Sequence, residues 1–408
     1  MAFDIKFDYR FDEANFFSDE RKAILEQAAD IWSSYIQDEF TSTPAGEVLK
    51  FTIGGVEQEV TLDEPIDDLI IFVSSTDRED SDSLTLSEGS YFADYVLGSE
   101  RAERIVGSDF EPWLGTIEFN ALSSDDFYYD DSPETDDDIP FNKQDFLSLS
   151  LHEIGHVLGI GIAPAFINQI ENGEFAGIQS VATNNNSPIP LDDDHNHIED
   201  GHTVDDSDAL LDKSFTFGER NLPTDLDLAI LSDIGYDIIA YDAVPVYRFY
   251  QYEAGFHFYT ADENEKQHVV ELSIDGALSY SSEGVAYRGL STDRDTLTGE
   301  DIEGALPVYR FFNRDTGSHL YTMDENERDI VDRTLDNYSY DGISYYAFES
   351  EPQDLETVPL YRMYNTDSGS HLFTTDANEF NTIKNSSSFS HFNVEGNQGI
   401  TYYVMESL

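Results

Sequence analysis

The chain has 408 residues, 84 acidic side chains against 21 basic ones, and no cysteine. A net charge of −63 excludes nucleic acid and anionic membrane surfaces as natural partners, and a hydrophobic content of 39% excludes a disordered polymer. Without cysteine there is no disulfide framework, thiolate metal site or cysteine nucleophile.

The length suggests two or three domains, and the first 240 residues read differently from the rest. The start, Met1-Ala2-Phe3-Asp4, has no basic or apolar leader pattern. Apolar residues Ile24, Leu25, Ala28, Ile31, Trp32 and Tyr35 predict an amphipathic helix over 19–40, with Asp19 and Glu20 in its first turn. Strands are expected at 49–53, 68–73 and 115–120. A second helix is expected over 141–161, with Asn142 as N-cap and glycines closing it, and a third over 225–234. The acidic stretch 125–138 reads as a loop. No apolar run approaches the roughly 18 residues of a membrane-spanning helix. Only seven basic residues are lysine, which suits a saline or calcium-rich setting.

From Val244 onward the chain repeats itself. VPVYRFYQYEAGFHFYTADENE, LPVYRFFNRDTGSHLYTMDENE and VPLYRMYNTDSGSHLFTTDANE align without a gap, and each is followed by an echo: EGVAY, DGISY and QGITY. Repeats near 244–305, 306–357 and 358–408 predict strand, turn, strand, acidic helix and final strand, closing into a pseudo-threefold trefoil or small propeller. Arg248, Arg310 and Arg362 are expected to pair with internal carboxylates such as Asp262, Asp324 and Asp376.

Histidines are absent before residue 152 and then crowd together as His152, His156, His195, His197 and His202. The first two lie in SLSLHEIGHVLGIG. Four residues apart on a helix, they share one face at about 6 Å along the axis, where two imidazoles can grip one ion beside Glu153. The bland alternative is a pair of polar residues on an exposed helix. The apolar flanks Leu147, Leu149, Leu151, Ile154, Val157 and Leu158 argue for a buried helix, in which such residues need partners.

With Gly159 the motif becomes HExxHxxG, which resembles the metzincin clan of zinc proteases. The resemblance covers most of residues 1–241. It implies an α+β catalytic domain over 1–241 in which a twisted mixed sheet backs the zinc-binding helix; the repeats themselves give the β-rich pseudo-threefold domain over 244–408. The usual third ligand would fall at Ile162, so another must serve, as in leishmanolysin-like members with an insertion after the glycine. His197, in HIEDG, resembles the matching segment of bacterial matrixin-like sequences and is favoured; His195, His202, Glu171 and Glu174 remain open. Leu211 in ALLDKSF stands where the clan has its methionine turn. GTIEFN resembles the clan's substrate-pairing edge strand, or is an ordinary edge strand, and the segment around 225–234 resembles its closing helix.

The resemblance implies a secreted zinc metalloendopeptidase: His152, His156 and His197 hold Zn²⁺, Glu153 acts as general base, and proteins or peptides are the substrates. Structural Ca²⁺ is a further candidate cofactor, but Asp192, Asp193 and Asp194 read as solvated and no ligand is assigned to it. The repeats resemble a C-terminal module of uncertain function on secreted bacterial enzymes. Cell-surface glycans are a candidate ligand for it, against the reading that its repeated residues pack the module onto itself. The competing function is a non-catalytic extracellular binding protein or adhesin with a degenerate protease-like domain.

Overall fold

The computed structural model describes residues 3–77, 87–91, 100–130, 139–204, 207–213, 216–274, 278–352, 355 and 357–405. The chain divides into two compact units, Met1–Ala240 and Tyr241–Leu408. The whole is a mixed α/β protein rich in sheet.

The first unit is built on a four-stranded sheet. Strands β1 (Ile5–Phe11), β4 (Leu69–Thr76) and β6 (Leu114–Asn120) run parallel, and β5 (Ser87–Tyr91) lies antiparallel at one edge, in the order β1-β4-β6-β5. β2 (Val48–Ile53) and β3 (Val56–Thr61) form a separate hairpin. GTIEFN is therefore an interior strand, paired on both sides. Burial of nearly every residue of β6, on both faces, fits a central strand. The true edge, SEGSY, has no hydrophobic alternation by which to find it.

Helix α1 (Asp19–Ser33) begins at the Ser18 side chain, which caps Arg21 N–H, and ends seven residues before Phe40. Beyond it the chain turns extended, and Ile36 bridges to Ile238. Its apolar face buries Ile24, Leu25, Ala28, Ile31 and Trp32 completely or nearly so. Each such aliphatic side chain contributes roughly 1.5–3 kcal/mol. The Trp32 indole donates to the Leu151 carbonyl at 2.9 Å and fastens α1 to the next helix.

That helix, α3 (Phe146–Val157), follows α2 (Glu100–Val106) and lies across β5 and β6. All twelve of its residues are buried. It starts at Asp145, not at Asn142, because the Asp145 carboxylate accepts the Ser148 N–H at 3.0 Å while Phe141 stays outside, 88% exposed. A buried, bidentate Arg220 guanidinium holds the same carboxylate at 2.9 and 3.0 Å. The helix stops before Gly159, whose φ of 110° turns the chain away. The closing helix Asp225–Asp233 matches its expected span and carries a capping box between Thr224 and Asp227. In the acidic stretch, 121–126 is a 3₁₀ turn and Phe127–Tyr128 pairs with Gln144–Asp145, while 131–138 lies outside the described residues.

In the second unit each repeat is a hairpin, a helix and a return strand. The hairpins are Ala243–Gln251 with Phe256–Thr260, Ala305–Asn313 with His319–Thr322, and Val358–Asn365 with Ser370–Thr374. The three return strands touch one another at their ends through Leu290↔Tyr346, Phe348↔Tyr403 and Arg288↔Met405, so the pairing closes on itself. The core repeats in threes: Val246, Val308 and Leu360; Tyr259, Tyr321 and Phe373; Tyr287, Tyr345 and Tyr402.

Candidate metal centre

His152 and His156 stand one turn apart on α3, both buried. The His152 Nδ1–H donates to the Leu210 carbonyl and the His156 Nδ1–H to the Ile160 carbonyl, each at 2.9 Å. A carbonyl can only accept, so these bonds fix the proton on Nδ1 and leave Nε2 as a lone pair in each neutral ring.

The third histidine arrives on the loop 192–198. After Gly159 turns the chain, Gly161, at φ 81°, lies so close to the Asn196 carbonyl that any side chain there would collide with it. This seats the loop on the end of α3 and brings in His197, whose Nε2 lies 3.1 Å from that of His156, as does the Nε2 of His152. The three ligand atoms all lie within 4.8 Å of one another. Tetrahedral zinc with bonds of about 2.0–2.1 Å places its nitrogens roughly 3.3 Å apart.

Burial pushes all three rings toward neutrality: His152 well below its usual value, His156 to about 4, with the neighbouring imidazoles adding to the effect. For His197 burial also outweighs the opposing pull of Asp192. Converging lone pairs at 3.1 Å repel one another unless a proton or a cation lies between them, and burial disfavours the proton. These residues can hold a metal ion.

The other candidates lie elsewhere. His195 is exposed, with φ +60°, and is not part of the triad. His202 pairs with Asn184 at 3.1 Å. Glu171 and Glu174 face each other across a small three-stranded sheet, both exposed, and Ile162 is half-buried in the turn. Glu153 follows His152 on the helix, 4% exposed, on the side where Gly89 of β5 presses so close that a side chain there would meet its carbonyl and its carboxylate. Leu211 packs against α3 at Gly155.

Residues 245–405 match a family described as a domain of unknown function, DUF5648. No curated protein and no solved structure matches the chain. The matched stretch is the repeat module, less than half of the sequence, and it brings no activity with it.

Two carboxylates support the site in roles that the sequence does not reveal. Asp192 is not a solvated loop residue: it is 8% exposed and accepts from Asn196 N–H, His197 N–H and Lys213. Asp193 and Asp194 are exposed. Asp227, fully buried, accepts from Leu210 and Leu211 N–H as well as from Thr224, and so holds the turn whose carbonyl orients His152. The Thr-x-x-Asp pattern before the closing helix was a readable sign of the cap; nothing in the run DDD singled out Asp192.

In the repeats the arginines do not pair with Asp262, Asp324 and Asp376. Those aspartates cap the three helices, as Asp324 does by accepting from Asn326 and Glu327 N–H. The arginines reach the glutamates three residues further on, each in another repeat: Arg310 to Glu265, Arg362 to Glu327 and Arg248 to Glu379, all through both terminal nitrogens. A cap needs its carboxylate turned inward to the helix backbone, which takes it out of an arginine's reach. The repeated arginines are thus committed to the module's own structure.

No helix among the described residues is long and apolar enough to cross a membrane.

Proposed function

We propose that the first unit is a zinc endopeptidase of metzincin-like build. The observation that carries this reading is the convergence of three imidazoles, His156 lying 3.1 Å from both His152 and His197 through Nε2, each ring with its remote nitrogen next to an oxygen: Leu210, Ile160 and Asn196. Outer oxygens of this kind fix ring orientation and raise ligand basicity. Three neutral nitrogen ligands leave an ion its full charge and an open position, the arrangement of a catalytic rather than a structural site. When bound there, zinc supplies Lewis acidity, making water a nucleophile near neutral pH and polarising a carbonyl.

Glu153 supplies the remaining function. Adjacent to His152 and 4% exposed, it accepts a proton from the attacking water and returns it to the leaving amine. β5 supports substrate alignment: among the described residues no strand pairs with its outer edge, and its Gly89 lies against Glu153. An extended peptide adding there would run past the base. The same reading carries a protein or peptide substrate and secretion with it.

The test is metal content after dialysis together with cleavage of an unstructured protein such as casein. Glu153→Gln is expected to keep one equivalent of zinc and to lose turnover by about 10²–10⁴-fold or more. Undiminished cleavage by that variant would exclude the assignment, and metal retention without cleavage in the wild type would favour the adhesin reading.

A further inference from the structure

Beyond the ligands themselves, the loop that delivers His197 is held by a device of its own. Within 192–197 the backbone closes on itself, Asp192 N–H donating to the His197 carbonyl and His195 N–H to the Asp192 carbonyl, both at 3.0 Å. His195 takes φ +60° to complete the turn. The Asp192 carboxylate sits inside this ring of chain. Its Oδ1 accepts from Asn196 and His197 N–H at 3.2 and 3.4 Å; its Oδ2 accepts from Lys213 Nζ at 3.0 Å and lies 3.8 Å from His197 Nδ1. Lys213 belongs to the other supporting segment, two residues after Leu211. The two segments are joined again where Ile198 N–H donates to the Leu211 carbonyl at 2.9 Å.

We propose that Asp192 and Lys213 are positioning residues that set the affinity of the metal centre by holding His197 in place before the ion arrives. The argument is one of preorganisation. His152 and His156 are fixed by a buried helix, whereas His197 rides on a loop with exposed residues on either side of Asp192's contacts, at 193–195 and 199–200. A ligand on such a loop has to be ordered on binding unless the loop is already closed, and that ordering cost weakens binding. Asp192 closes it. Lys213 ties the closed loop to the turn whose Leu210 carbonyl orients His152, so that His152 and His197 share one support. Lost outer-shell partners typically cost 10–100-fold in metal affinity.

The inference rests on the metal-site reading above, and the experiment separates the two. The full chain, stripped of metal, is titrated with Co²⁺ and followed by its visible absorption, which reports coordination number and geometry. Asp192→Ala is expected to bind Co²⁺ about 10–100-fold more weakly than wild type. Asp192→Asn, which keeps an acceptor for the two N–H groups but loses the ion pair, should fall between, and Lys213→Met should weaken binding less. The double variant Asp192→Asn/Lys213→Met should be no worse than Asp192→Asn alone, because both remove one interaction. Melting of the metal-free proteins is recorded alongside. A merely structural role would lower that melting point and leave the affinity of the folded protein unchanged, which would overturn the inference; so would wild-type affinity in Asp192→Asn and Lys213→Met should the alanine variant fail to fold. If wild type and His156→Ala take up Co²⁺ identically, the metal centre itself falls, and this inference with it.

Discussion

Arg362 grips Glu327 of the preceding repeat at 2.9 Å through each terminal nitrogen, while its Nε lies 2.8 Å from Glu395 of its own repeat. Arg248 and Arg310 do the same in their places, with Glu379 and Glu283, and with Glu265 and Asp341. Since each arginine reaches a different neighbour, three joints close a ring. Where the echo QGITY offers no acid at Gln398, Glu395 takes the position that Glu283 and Asp341 hold in the other repeats.

Breaking one joint should therefore weaken the whole module. Arg362→Met leaves two part-buried carboxylates without their cation and is expected to destabilise the module by about 2–4 kcal/mol. Urea unfolding checks this. Adding Glu327→Met should restore part of the loss, because the uncompensated charge is then removed.

Acid should open the same ring. Burial raises the carboxyl groups of Glu265, Glu327 and Glu379, but the arginine facing each outweighs it and holds them below their usual range. Groups depressed in the fold stabilise it above their unfolded value of 4.5 and lose that contribution as pH falls through the folded one. His257 and His319, pushed to about 4 and about 3 by burial and then by the adjacent arginine, remain neutral in the fold while the unfolded chain takes up protons from 6.5 downward. Both sets lose stability in the same direction. His371, also lowered by burial, adds to this, so the module's melting temperature should begin to fall below about pH 6.5 and drop steeply below 4.5, and His257→Asn/His319→Asn/His371→Asn should remove the early part of that decline.

Asp227 should matter at a distance from the histidine triad. It touches no histidine, but it accepts the two N–H groups of the turn whose Leu210 carbonyl orients His152. Asp227→Ala strands those donors in the core and is expected to cost about 2–4 kcal/mol by chemical denaturation. Asp227→Asn, which accepts through one oxygen only, should cost less and still weaken metal binding.

Helix α3 and the repeats are legible in the sequence because each has a strong local signal: a fixed i, i+4 histidine pair in an apolar run, and a pattern written three times. Edges and supports are not. β5 carries Ser87-Glu88-Gly89-Ser90-Tyr91, a strand defined by its neighbour β6 and not by its own alternation. The α3 cap fell at Asp145 because Arg220, 75 residues away, holds that carboxylate in position. The partners of the arginines lie three residues beyond the aspartates, since an aspartate opening a helix and a glutamate within its first turn look alike until the fold decides which one faces the next repeat.

The threefold core contains one interruption that can be repaired. The phenol of Tyr321 donates to the Tyr259 carbonyl, and the Tyr259 phenol donates to the Phe373 carbonyl at 2.7 Å, each bond crossing from one repeat to another. The third member of this cycle is Phe373, which has no hydroxyl to continue it. Beside it, Tyr345 links Tyr287 and Tyr402 at 2.8 Å on both sides, an uninterrupted chain of phenols at the equivalent position of each repeat. By the symmetry of the first pair, a hydroxyl at 373 would point toward the Tyr321 carbonyl. Phe373→Tyr is therefore expected to stabilise the module by about 0.5–1.5 kcal/mol, the net worth of one buried hydrogen bond. Tyr345→Phe, which removes the hydroxyl that two buried phenols share, should destabilise it by about 0.5–1.5 kcal/mol. Denaturant midpoints of the two variants check both signs: a loss of stability in Phe373→Tyr would mean that the cycle is broken by lack of space and not by lack of a donor.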